Sequence, residues 1–95
     1  MAKELQLVIL KQDLERLDNT KDDYLQNLLE AAKQFIEREG LILADSYEDD
    51  MLIAMYAAFL YRKRAQQSDV AMPTFLRLAL NNRLLSQKAG GVDAV

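Results

Sequence analysis

The sequence predicts an all-α fold: a small bundle of about four helices around a central apolar one, followed by a flexible C-terminal tail. Two observations lead there. Apolar residues recur at spacings of three and four, and no stretch sustains period-two alternation rich in β-branched residues. About half the residues are apolar and about a quarter charged, which suits a single globular domain of this length. We read residues 1–88 as one helical domain and 89–95 as the tail.

Leu7, Leu10, Leu14 and Leu17 form one stripe, predicting a first helix over about residues 4–17 that stops at Asp18-Asn19-Thr20, side chains that compete with helical backbone bonds. Asn19 or Thr20 is the expected N-cap of a second helix, with Asp22 and Asp23 complementing its dipole. Leu25, Leu28, Leu29, Ala32, Phe35 and Ile36 make its apolar face, and Gly40 ends it in the left-handed conformation. Residues 41–44, Leu-Ile-Leu-Ala, read as a buried connector. Ser46 and Asp49 have the spacing of a capping box for a third helix running to about Gln66. Its middle, MLIAMYAAFLY, is apolar on every face, so neighbours should surround it. After a polar linker, Pro73 suits the first position of a fourth helix, which should fade near Lys88.

Composition excludes much chemistry. The chain has no cysteine and no histidine, which removes disulfides, thiolate metal sites, cysteine nucleophiles and the commonest general base. No glycine-rich phosphate loop is present. We expect no enzymatic activity, no cofactor and no metal site. The N-terminal apolar run, residues 7–10, is too short for a signal-peptide core. Residues 51–61 have about half the length that spans a bilayer. Both features lead us to expect a soluble protein made in the cytoplasm, without a membrane partner.

Charge is unevenly spread. Residues 1–61 hold 6 Lys/Arg against 13 Asp/Glu, and residues 62–95 hold 6 against 2. Such asymmetry suits an electrostatically steered partner, another copy of the chain included. Glu48, Asp49 and Asp50 fall in the first turn of the third helix and Arg62, Lys63 and Arg64 in its last, as the helix dipole favours. Solvated capping charge is therefore the plain reading of the acidic triplet. A divalent-cation site is the sharper one, but consecutive helical residues point apart and no glycine-punctuated loop adds oxygens. Glu37, Glu39 and Asp45 read as exposed charges near a helix end, not an acid–base pair. Tyr56, Phe59 and Tyr61 fit core positions better than a base-stacking platform, and Met51 and Met55 read as core filler. A helix-turn-helix over residues 47–85 would need a turn about twice the usual length, without a glycine. A pI near 4.8 also argues against a free-standing DNA-binding module.

Taken in order, LKQDLERLDNTKDDYLQNLLEAAKQFIE, DDMLIAMYAAFLYRKRAQ and MPTFLRLALNNRLLSQK resemble the small head–tail connector proteins of tailed phages and prophages, also called head-completion or adaptor proteins. The likeness rests on Asp22-Asp23, Ala31-Ala32 with Phe35-Ile36, Tyr61-Arg62-Lys63-Arg64, Met72-Pro73 and Asn81-Asn82-Arg83-Leu84-Leu85, and covers about residues 7–88. It implies an all-α virion subunit, assembled in the bacterial host cytoplasm into a homo-oligomeric ring at the head–tail junction. The ring would dock below the portal protein, line the DNA passage and carry tail-side connector proteins. DNA would be touched only through phosphates, without sequence preference. A ring needs two complementary faces per subunit. The candidates for subunit or portal contacts are Arg62, Lys63, Arg64, Arg77 and Arg83; those for the opposing face are Asp22, Asp23, Glu48, Asp49 and Asp50. The 66–72 linker and the tail are candidates for ordering on assembly. The alternative is a small helical regulatory module that binds DNA or a partner helix.

Overall fold

The computed structural model describes residues 2–15, 20–44, 46–66 and 71–94, with the side chains at 2, 3, 65, 66 and 89–94 left aside. The described residues form four helices: α1 (Ala2–Asp13), α2 (Asp22–Arg38), α3 (Tyr47–Gln66) and α4 (Thr74–Ala94). No strand occurs among the described residues. The expected all-α bundle is the observed fold.

α3 is the axis, and each of the other helices packs on it. Leu52, Ile53, Ala54, Tyr56, Ala57, Ala58 and Phe59 are all buried, which covers every face of a 3.6-residue turn. Its alanines leave room for close approach on several sides. α1 contributes Leu10, α2 contributes Leu25, Leu28, Leu29, Ala32 and Ile36, and α4 contributes Leu76 and Leu80. Leu7 and Leu14 pack against this core half-buried. Advancing along α3 from Asp50 to Arg62 moves along α1 from Gln6 to Asp13, so α1 and α3 run in the same direction. Tyr24 meets Tyr61 and Phe35 meets Tyr56, so α2 runs the opposite way.

Several boundaries differ from expectation. α1 ends at Asp13, short of residue 17. Leu14 N–H and Glu15 N–H close its last turn on the Leu10 and Gln12 carbonyls, and Glu15 then turns left-handed at φ 58°. Leu17, Asp18 and Asn19 lie outside the described residues. The N-cap of α2 is Lys21, with no side-chain cap bond, in place of Thr20. Asp22 and Asp23 in the first turn offset the missing cap electrostatically. At the other end the expectation holds, with Gly40 at φ 102°. An added Cβ would meet only Leu84 at an ordinary 3.7 Å. The backbone angle, and not the space, calls for glycine there.

The connector alternates: Leu41 is buried, Ile42 is 75% exposed and Leu43 half-buried. It is therefore only partly the buried segment expected, because an extended backbone turns successive side chains to opposite sides. Pro73 precedes α4 instead of opening it, and its carbonyl accepts from Leu76 N–H and Arg77 N–H, both at 3.1 Å. α4 does not fade at Lys88 but continues to Ala94, so residues 89–94 of the expected flexible tail are helical. Gly90 and Gly91 each cost about 1 kcal/mol relative to alanine in a helix interior, so backbone bonding carries this stretch against intrinsic preference. At 1.5 Å per residue α4 is about 31 Å long. It accounts for an elongated molecule, 48 × 32 × 18 Å with a radius of gyration of 14.0 Å, where a compact chain of this length has about 12 Å.

The two sides of α4 should respond differently to truncation. Leu80→Ala, at a fully buried position, is expected to cost about 2–5 kcal/mol in urea unfolding. Leu78→Ala, on the outer side, should stay within about 0.5 kcal/mol. Equal losses would mean that α4 does not pack through the face described.

Candidate functional site

The acidic triplet at the start of α3 divides three ways. Glu48 is exposed, as expected. Asp49 is fully buried and Asp50 nearly so, which overturns their reading as solvated charges and removes both from any exposed acidic face. Ser46 Oγ accepts from Asp49 N–H at 3.2 Å, one half of the expected capping box. In the other half, Asp49 reaches beyond Ser46 and its Oδ2 accepts a short bond from Ala44 N–H. Arg83 Nη1 lies against Asp49 Oδ1 as a charge contact without hydrogen-bond alignment. Asp50 Oδ1 accepts from Gln6 Nε2 of α1 at 2.9 Å, a buried bond.

The reason is geometric. A helix that is apolar on all faces must be covered at its ends too, so its first turn lies under α1, α4 and the connector. Carboxylates there sit at the positive end of the dipole, and buried charge persists only with partners. The helix N-terminus, Arg83, an amide side chain and a backbone N–H supply them.

Most of the basic candidates are likewise engaged within the subunit. Arg62 caps the end of α1, 3.1 Å from the Asp13 carboxylate and donating to its carbonyl at 3.3 Å. Arg77 pairs with Glu39 at 3.0 Å, and Arg83 is the partner of Asp49. Lys63 lies 5.8 Å over the Phe59 ring and Arg64 5.6 Å over Tyr24, cation–π contacts that leave both exposed. On the acidic side, Asp22 pairs with Lys11 at 2.9 Å, while Asp23 is exposed. Of the ten candidate residues, Asp49 and Asp50 are thus withdrawn from the surface, and Arg62, Arg77, Arg83 and Asp22 have partners within the subunit.

Two residues outside the sequence-based candidates organise this end of the molecule. Gln6 holds Asp50. Gln87 brackets the connector, its Oε1 accepting from Ile42 N–H and its Nε2 donating to Gly40 O, each at 2.7 Å. Neutral amides carry little signal in a sequence; their positions on the core-facing sides of α1 and α4 were the only one available.

Large apolar side chains also remain open. Phe75, Leu78 and Leu85 of α4 are 60%, 54% and 67% exposed. Beside them a groove of about 340 Å³ runs between α3 and α4, lined by Tyr47, Glu48, Met51, Leu52, Met55, Ala79, Asn82 and Arg83. Met51 and Met55 thus sit half-buried on its wall, and not wholly in the core. No cluster of three or more acidic side chains converges among the described residues, so Glu48, Asp49 and Asp50 do not form a cation cage. Among them, too, no helix is long and apolar enough to cross a membrane.

Burial pushes the Tyr56 phenol above its ordinary 10.0, the Glu39 carboxylate adds to the rise, and Arg77 opposes it. A raised folded-state value means that the unfolded chain loses this proton first. The stability tied to it is present in full below about pH 10 and is lost as pH rises from there through the folded value. Urea unfolding from pH 9 to 11 should show parent stability falling more steeply than that of Tyr56→Phe; parallel curves would remove Tyr56 as the titrating group.

Comparison with family models, with characterised proteins and with solved structures returned no match for this chain.

Proposed function

We propose that this chain is a structural virion protein, a subunit of a head–tail connector ring that docks below the portal, borders the DNA passage and carries tail-side connector proteins, without catalysing a reaction. The observation that carries the reading is the outer side of α4, where Phe75, Leu78 and Leu85 stand exposed on a helix already anchored to its own core by Leu76 and Leu80. Large apolar side chains gathered on one rigid face, beside an apolar groove, mark an assembly surface. The motif order noted in the sequence supplies the specific context, the head–tail junction of a tailed phage or prophage.

The charge arrangement supports the same reading over the regulatory alternative. A DNA-binding module needs a free basic face, yet Arg62, Arg77 and Arg83 have acidic partners within the subunit. Lys63, Arg64 and Lys88 remain exposed, suited to sparse phosphate contacts that let DNA pass.

Mixing the purified chain with the portal protein of the same phage genome and imaging the product by electron microscopy tests the proposal. The expected result is an added annular layer on one end of the portal. Failure to associate, combined with salt-sensitive binding of the free chain to duplex DNA, would contradict it and favour the regulatory role.

A further inference from the structure

α4 carries apolar residues on two opposite sides, where a helix on the surface of a single domain needs only one. Leu76 and Leu80 are buried, and Arg83, Leu84 and Gln87 are half-buried on the same side. On the other side Phe75, Leu78, Asn82 and Leu85, all exposed, follow one another at spacings of three, four and three. The sequence places Ala89 and Val92 at the next two steps, and the helix runs through both. This is the a/d spacing of a coiled coil across nearly three heptads, with Asn82 at a central a position.

From this geometry we infer that the outer stripe of α4 pairs with α4 of a second copy of the chain, parallel and in register, with Asn82 facing Asn82 of the partner. The inference rests on the reading of this face as an assembly surface and names its occupant.

Three features select a second copy. A parallel, in-register pair lets the two Asn82 amides bond to each other. A one-heptad slip sets Asn82 against Phe75 or Ala89, and the antiparallel arrangement that keeps the whole stripe in contact sets it against Leu85. Both leave a polar group buried without a partner. Second, the flanking positions Thr74, Ala79, Asn81 and Ser86 are uncharged and Lys88 is the one flanking charge among the described side chains, so two identical surfaces meet without facing rows of like charge. Third, the area fits a modest self-contact. At 60%, 54% and 67% exposure, Phe75, Leu78 and Leu85 leave on the order of 300 Å² open per copy. Two copies therefore bury on the order of 600 Å² through these three side chains, below the roughly 1,200 Å² at which stable specific interfaces begin. The pair is accordingly concentration-dependent. It also closes on itself, so a larger ring grows through other faces.

The test uses the full chain. Sedimentation equilibrium across a wide concentration range should show a monomer–dimer equilibrium, and Leu85→Asp should weaken it tenfold or more while the helical circular dichroism and thermal midpoint stay near the parent values. Because the chain has no cysteine, Leu78→Cys reports orientation. The parallel pair brings the two introduced thiols within disulfide reach and cross-links on oxidation, whereas the antiparallel pair holds them about 16 Å apart along the axis. A strict monomer at the highest concentration overturns the inference. So does an oligomer indifferent to Leu85→Asp, or a dimer that Leu78→Cys does not cross-link. Each of these leaves docking on the portal, read on the portal itself, to be judged separately.

Discussion

Burial of the first turn of α3 is the constraint from which the other contacts follow. A helix without a polar face has to be covered along its whole length, and here the covering reaches two carboxylates, Asp49 and Asp50. Their charge is tolerated because each of the overlying elements brings something to it: α1 an amide, the connector a backbone N–H, α4 a guanidinium. The same contacts fix where those elements lie. Asp49 joins the connector to α4, Gln87 repeats that junction from the α4 side, and Asp50 ties down α1. At the opposite end Arg62 performs the equivalent task for the end of α1. Polar contacts thus hold both ends of the bundle while the middle is apolar.

Much of this fold is legible in the sequence where a single helix decides the outcome. The limits of α3, the end of α2 at Gly40 and the all-round burial of MLIAMYAAFLY follow from local pattern and capping chemistry. What was not legible depends on which elements overlie one another. An acidic triplet at a helix start looks the same whether it faces water or another helix. Only the lack of any polar face on α3 hinted that its first turn would be covered. The end of α1 was missed because Leu14 and Leu17 continue the leucine spacing past the point where Glu15 turns left-handed. α4 outran its expected end because glycine lowers helix propensity without forbidding a helix. Its two apolar faces were present in the sequence all along, but periodicity alone does not say which of two stripes meets the core.

This division of labour bears on function. Charges that a sequence-level reading assigns to intersubunit faces are largely spent inside the subunit, at the junctions between its helices. The surface left for partners is apolar and rigid, and carries little charge at its centre. Such a surface favours close contact between preformed subunits over long-range electrostatic capture. That is the demand the proposed connector role makes. Exposed cations include Lys63 and Arg64 on the last turn of α3 and Lys88, which flanks the outer stripe of α4.

The central claim, that a buried charge on α3 binds α4 and the connector into one unit, is tested most directly by a double-mutant cycle on Asp49→Ala and Arg83→Ala in chemical denaturation. The account predicts coupling: the double variant should be more stable than the sum of the single losses implies, by about 1 kcal/mol or more. Additivity within about 0.3–0.5 kcal/mol would contradict it and leave the placement of α4 to apolar packing alone.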